Sequence, residues 1–173
     1  MIVMAYPGCG KTTMVNEMRS NGMAPGVIDL ESSCFRYREN LGRPDRWWEL
    51  YVNVAVDLSN QGPFGNYVFV SSHAEVQNEL LRVAQGTILI HPARWMKDIW
   101  VQRLTRRAED DPSPKNQMAL ARVTNCWDED MDSMERSPFG RLVIGYDQEF
   151  VRDVIGDYVF RDRKLQYAEK GPV

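Results

Sequence analysis

The residues of this chain best suited to chemistry stand at its start. Residues 1–13 read Met-Ile-Val-Met-Ala-Tyr-Pro-Gly-Cys-Gly-Lys-Thr-Thr. A short apolar run with Ile2 and Val3 breaks at Pro7, Gly8 and Gly10, then passes directly into Lys11, Thr12 and Thr13. A strand, a tight glycine loop and a helix start, in that order, make an anion cradle. Gly8 and Gly10 let backbone N–H groups turn inward and come close to an anion. The helix that follows adds free N–H groups and the positive end of its dipole. Lys11 offers a point charge to β- and γ-phosphates, and Thr12 offers a hydroxyl to Mg²⁺.

The spacing Ala5-x-x-x-x-Gly10-Lys11-Thr12 is that of the P-loop, with alanine in the first glycine slot. Alanine serves there if its φ stays negative. The expected triphosphate-binding set is Pro7, Gly8, Cys9, Gly10, Lys11, Thr12 and Thr13, with Mg²⁺ as the metal. Cys9 reads either as a reactive thiol or as a small side chain that merely fits.

Asp29-Leu30-Glu31 places two carboxylates on one side of an extended segment, because side chains alternate with period two. At the end of the strand after the first helix they can reach Mg²⁺ through water or accept a proton from an attacking hydroxyl. Asp29 is therefore expected beside Thr12 as a metal-side and catalytic group, and Glu31 and Ser32 on the substrate side. The apolar run 67–70 ends in Ser71-Ser72-His73, where a hydrolytic site would carry an acid. Ser71 and His73 become candidates for an acceptor phosphate or ribose, His73 being equally readable as a plain helix start.

Trp95, Ile99, Arg103 and Arg107 are spaced by four and share a helical stripe. Apolar at one end and cationic at the other, the stripe is expected to pack on the body and turn its guanidinium groups toward phosphates. Arg103 and Arg107 are assigned to catalysis and Arg106 to the donor. The alternative is a solvated face paired with the acids at 109–111. Lys115 follows across a polar loop. Arg36, Tyr37, Trp47 and Trp48 follow the second strand, where an aromatic can stack a base or fill the core. Met14, Met131 and Met134 are read as filler.

These groups need elements to carry them. Strands are expected at 1–5, 26–30, 67–70, 87–90 and 141–146. Helices are expected at 11–19 (stopped by Asn21-Gly22), 46–61 (stopped by Gly62-Pro63), from an Ser72 cap to 84, from Pro92 to 108, at 116–135 and at 148–155. Short apolar strands alternating with helices imply a parallel sheet covered on both faces, with ligands at the strands' carboxyl ends.

Length and composition fit this. A chain of 173 residues suits one domain, and 43% hydrophobic with 26% charged residues is ordinary for a globular protein. A net charge of −3 gives no field for an extended nucleic-acid interface or a membrane surface. Cys9, Cys34 and Cys126 are widely spaced, which fits a reducing, cytoplasmic setting without a zinc site. The first residues already form a strand, so no leader is expected, and no apolar run is long enough to span a bilayer.

The combination of the N-terminal P-loop, Asp-Leu-Glu-Ser-Ser, Val-Phe-Val-Ser-Ser-His and the 103–115 segment resembles the nucleoside monophosphate kinase branch of the P-loop proteins, in particular small adenylate-kinase-like proteins of phage genomes. The resemblance implies a three-layer α/β/α fold with a five-stranded parallel sheet, a short lid at about 103–116, and an acceptor-side insertion at about 31–61. It implies γ-phosphoryl transfer from ATP to a (deoxy)nucleoside monophosphate by a monomer or homodimer. Asp-Leu-Glu also resembles the acidic motif of kinases that act on hydroxyl groups, and a nucleotide-binding protein with little turnover is the third reading.

Overall fold

The computed structural model describes residues 1–20, 26–36, 45–61, 65–146 and 150–155. Five strands form one parallel sheet: β1 (Ile2–Ala5), β2 (Val27–Asp29), β3 (Tyr67–Ser71), β4 (Ile88–Pro92) and β5 (Gly140–Ile144). Their spatial order is β2-β3-β1-β4-β5, which places the P-loop strand at the centre. Every residue of β1 is buried, as are Tyr67 to Val70 of β3. Since successive side chains point to opposite faces, both faces of the central strands are covered. This is why their sequences read as apolar runs without alternation.

The covering helices are α1 (Lys11–Ser20), α2 (Ser33–Arg36), α3 (Trp47–Asn60), α4 (Ala74–Val83), α5 (Lys97–Asp110) and α6 (Pro114–Glu135). Helices α3 and α4 pack on each other, as do α5 and α6. Helix α3 buries Trp47, Tyr51, Val52 and Ala55, a stripe at helical spacing. Trp100, Trp127, Tyr6, Phe69 and Leu80 are among the largest fully buried side chains, each contributing on the order of 2 kcal/mol by burial. Met14, Met131 and Met134 lie in this core. Among the described residues no helix is long and apolar enough to cross a membrane.

Several expected boundaries shift. Pro92 does not open a helix; it is the last residue of β4, opposite Ile144 of β5. β1 pairs with β4 only as far as Ile90, so the N–H that Pro92 lacks is not needed on that side. A 3₁₀ turn, Arg94–Met96, then precedes α5. His73, not Ser72, sits at the cap of α4. Proline opens α6 at Pro114, and residues 140–144 rather than 141–146 form β5. Residues 103–116 are the end of α5, a turn and the first residues of α6. Residues 151–155 are helical; Tyr37 and the expected stops at Asn21-Gly22 and Gly62-Pro63 lie outside the described residues.

Candidate functional site

The loop after β1 has the conformation its glycines allow. Gly8 and Gly10 have φ of +84° and +85°, in the left-handed region where a Cβ is strained. Their lack of a side chain also has a packing reason. A Cβ at Gly8 would lie 2.9 Å from the Trp100 Nε1, and one at Gly10 would lie 2.8 Å from the Phe150 ring. The Trp100 indole N–H donates to the Pro7 carbonyl at 2.7 Å, and the Val151 N–H donates to the Cys9 carbonyl at 2.8 Å. Helix α5 and the segment after β5 thus fix the loop from two sides. Ala5, in the first slot of the motif, is a strand residue with negative φ.

Helix α1 begins at Lys11, so the N–H groups of Lys11, Thr12 and Thr13 have no intrahelical partner. The Lys11 ammonium folds back to donate to the Ala5 carbonyl at 3.0 Å. Burial holds its pKa below the ordinary lysine value, with the charges of Asp29 and Glu31 opposing that shift. Cys9 is buried, its thiol 4.0 Å from the Ile90 carbonyl, and burial pushes its pKa up to about 12. Its side chain is absent from the cavity wall. Of the two readings of Cys9, the small side chain that fits is the one the geometry matches.

One cavity of about 820 Å³ opens over this loop. Pro7, Gly8, Gly10, Lys11, Thr12 and Thr13 line one part of it, and Asp29, Glu31, Ser32, Ser71, His73, Arg103 and Arg107 are among the residues that line the rest. The ends of β1, β2 and β3 all contribute. Arg106 is exposed and does not line it. The stripe through Trp95 is also corrected. Trp95 is 66% exposed, and the buried stripe runs one residue later, through Met96, Trp100, Leu104 and Ala108. Arg103 and Arg107 flank that stripe, which is how they still reach the cavity while Arg106 turns away.

The Thr12 hydroxyl donates to Asp29 Oδ2 at 2.6 Å. A hydroxyl and a carboxylate together are oxygen donors of the kind Mg²⁺ takes, usually with phosphate oxygens and water completing the shell. With two protein oxygens, the pair fits a metal that arrives with phosphates.

The far side of the cavity is cationic. Arg36 Nη1 donates to His73 Nε2 at 3.2 Å, and because guanidinium only donates, that nitrogen carries no proton. The Arg36 head also lies 5.5 Å from the Trp47 ring centre, and Trp47 packs edge-on against His73. Lys115, at the start of α6, pairs with Glu31 at 2.5 Å, joining α6 to the segment after β2. The Ser71 hydroxyl is buried, with no hydrogen-bond partner among the described residues. Arg103 lies between two rings, 4.2 Å from Trp100 and 4.3 Å from Phe150.

Several contributors escaped the sequence reading. Tyr51, buried in α3, donates to the Leu30 carbonyl at 2.7 Å and accepts from the Ser71 N–H at 2.9 Å, tying the ends of β2 and β3 together. Burial raises its pKa, so it stays a donor. Arg122 of α6 lines the cavity near Lys11, Ser71 and His73, and pairs with the buried Asp130. Glu75 and Phe150 also line the wall. Only Tyr51 had a visible signal, as part of an apolar stripe.

Along nearly its whole length the chain is similar in fold to a shikimate kinase from Bacteroides thetaiotaomicron, at 16% identity and a TM-score of 0.48, over 95% of this chain and 96% of that one. It is likewise similar to the YorR protein of Bacillus subtilis, crystallised in complex with phosphorylated GDP, at 11% identity and a TM-score of 0.48, over 96% and 97%. No protein-family model matches the chain, and no curated protein matches its sequence. With its central strand feeding a glycine loop and a helix, and its five parallel strands covered by helices on both faces, the chain has the three-layer α/β/α P-loop fold.

Proposed function

We propose that this protein is an ATP-dependent phosphotransferase that moves the γ-phosphoryl group to a (deoxy)nucleoside monophosphate. The observation that carries the reading is the division of one cavity into two charged halves. Loop amides, Lys11, Arg122 and the Thr12–Asp29 pair make a donor half, and Arg36 and Lys115, with His73 accepting from Arg36, make a second half that carries positive charge. A nucleotide that is only hydrolysed needs one such set. Two sets suit a donor triphosphate and an acceptor that brings its own phosphate.

In this reading Lys11 and the α1 amides hold the donor, and Thr12 and Asp29 hold Mg²⁺, which when bound neutralises phosphate charge. Arg103 and Arg107 cover the transferring group from α5, and the 103–116 hairpin excludes water. Catalysis is positioning and charge neutralisation. The acceptor is a small nucleotide, and neither a membrane nor a long nucleic acid takes part.

A second reading is favoured by Glu31. Asp29 holds the Thr12 hydroxyl, while Glu31 is paired with Lys115 on the same cavity wall, where in this reading it would take the proton of an attacking hydroxyl. ADP release is to be followed with Mg²⁺ and ATP across nucleoside monophosphates, nucleosides and a 5′-hydroxyl oligonucleotide. Release with monophosphates that survives Glu31→Gln supports the first reading. Release with hydroxyl acceptors alone, abolished by Glu31→Gln, replaces it with the second. Binding of ATP without acceptor-dependent release overturns both and leaves a nucleotide-binding protein.

A further inference from the structure

Tyr6 is the second residue of the P-loop motif and is fully buried. Its hydroxyl donates to Asp130 Oδ2 at 2.9 Å, across 124 positions of sequence. Asp130 is itself buried, and its two oxygens take a fork from Arg122: Nε to Oδ2 at 2.9 Å and Nη2 to Oδ1 at 2.7 Å. Asp130 is thus shared between the loop and α6.

Arg122 and Asp130 are eight residues apart on one helix, roughly 12 Å of rise in an unbroken α-helix. Cys126, midway between them, has non-helical φ and ψ of −119° and 16°, so the helix is kinked where the fork has to close. The side chain of Asp130 is 10% exposed and that of Arg122 is 35% exposed. One end of the guanidinium is therefore buried against its carboxylate. Arg122 also lines the large cavity, together with Pro7, Lys11, Ser71 and His73. A guanidinium has five N–H donors, and the fork uses two.

A buried ion pair of this kind is a poor source of stability, since desolvation offsets most of the attraction. Its geometry is its value. We propose that Tyr6 and Asp130 are positioning residues that hold the Arg122 guanidinium, beside Lys11, against the phosphates of a bound nucleotide. The idea rests on the phosphotransfer reading of the cavity. It adds a direct tie between the P-loop and a cation on a distant helix, so that the loop sets where that cation stands. Burial and the nearby carboxylate raise the Tyr6 pKa, and Asp130 raises that of Arg122, so donor and cation persist through the neutral range.

The test is a double-mutant cycle on the affinity of Mg²⁺·ATP, read by calorimetry without acceptor. Arg122→Met should weaken binding about tenfold and Tyr6→Phe about threefold, whereas the double variant should bind no more weakly than Arg122→Met alone. A purely structural Tyr6 would give effects that multiply, and that outcome overturns the proposal, as does wild-type affinity in Arg122→Met. Because Arg122→Met leaves Asp130 without its cation, the cycle is repeated with Arg122→Lys, which keeps the charge and loses the fork. Tyr6→Phe should then add less than about twofold. Since affinity is read apart from turnover, failure of acceptor-dependent ADP release would count against phosphotransfer and leave this cycle to be decided by its own numbers.

Discussion

The hydroxyl of Thr12, at the start of α1, lies 2.6 Å from the carboxylate of Asp29, at the end of β2. The two are seventeen positions apart. They meet because a parallel sheet brings the carboxyl ends of its strands to one edge, where the loop after β1 also opens. If this pair receives Mg²⁺, Asp29→Asn keeps the shape and removes the charge. The Mg²⁺ concentration for half-maximal turnover should then rise at least about tenfold, with metal-free nucleotide binding little changed. A metal titration of turnover at saturating ATP checks this, and an unshifted midpoint would remove Asp29 from the metal side.

Lys11 carries a charge that burial disfavours. Lys11→Met should abolish turnover, by a factor of about 10³ or more if the lysine meets the transferring group. The same change should leave the melting temperature of the nucleotide-free protein equal or higher, because a desolvated ammonium is replaced by a side chain of similar length. The sign with pH follows. The folded-state pKa lies below the ordinary 10.5, so between the two values the unfolded chain binds more protons and stability rises with pH. Melting curves of wild type and Lys11→Met should therefore converge as pH approaches 10.5 from below.

Gly10→Ala meets two obstacles. Its φ of +85° is unfavourable to alanine by about 1–2 kcal/mol, and the new methyl meets the Phe150 ring at 2.8 Å. The single variant should lose ATP affinity and melt several degrees lower. Phe150→Ala in the same chain removes the clash and leaves the backbone strain, so it should recover part of the melting temperature. Little of the affinity should return, because the ring also flanks Arg103 at 4.3 Å. Full recovery of affinity would mean that the loop tolerates alanine and that Phe150 alone set the requirement.

The sheet and the loop were legible in the sequence because both are written locally: apolar runs bounded by turn residues, and glycines at fixed offsets before a lysine. The Thr12–Asp29 juxtaposition was legible because strand-end chemistry converges in any parallel sheet. The stripe on α5 was misread for a local reason. Counting by four from the conspicuous Trp95, which is exposed, lands one residue before the buried Met96, Trp100, Leu104 and Ala108. The Tyr6–Asp130–Arg122 group was not legible at all. Eight residues is no contact spacing on a regular helix, and nothing in the order of residues announces the kink at Cys126. Tyr51 belongs to the buried stripe of α3, but what its hydroxyl does depends on two strand ends that meet only in the fold.

Cys9 sits inside the loop, yet its thiol is the least reactive kind. Burial raises its pKa from the ordinary 9.0 to about 12, so almost no thiolate exists near neutrality. Cys34 is exposed and Cys126 partly so. Alkylation at about pH 8 should modify Cys34 first and spare Cys9 until the chain unfolds, with turnover retained after the first modification. The stability consequence has a definite sign. Between pH 9.0 and about 12 the unfolded thiol has lost a proton that the folded one keeps, so stability falls as pH rises through that window. Below pH 9.0 the group contributes no slope. Cys9→Ala should flatten the alkaline limb of the stability profile and leave the neutral region level. Rapid labelling of Cys9 in the folded protein, with loss of turnover, would return it to the reactive group that its place in the motif suggests.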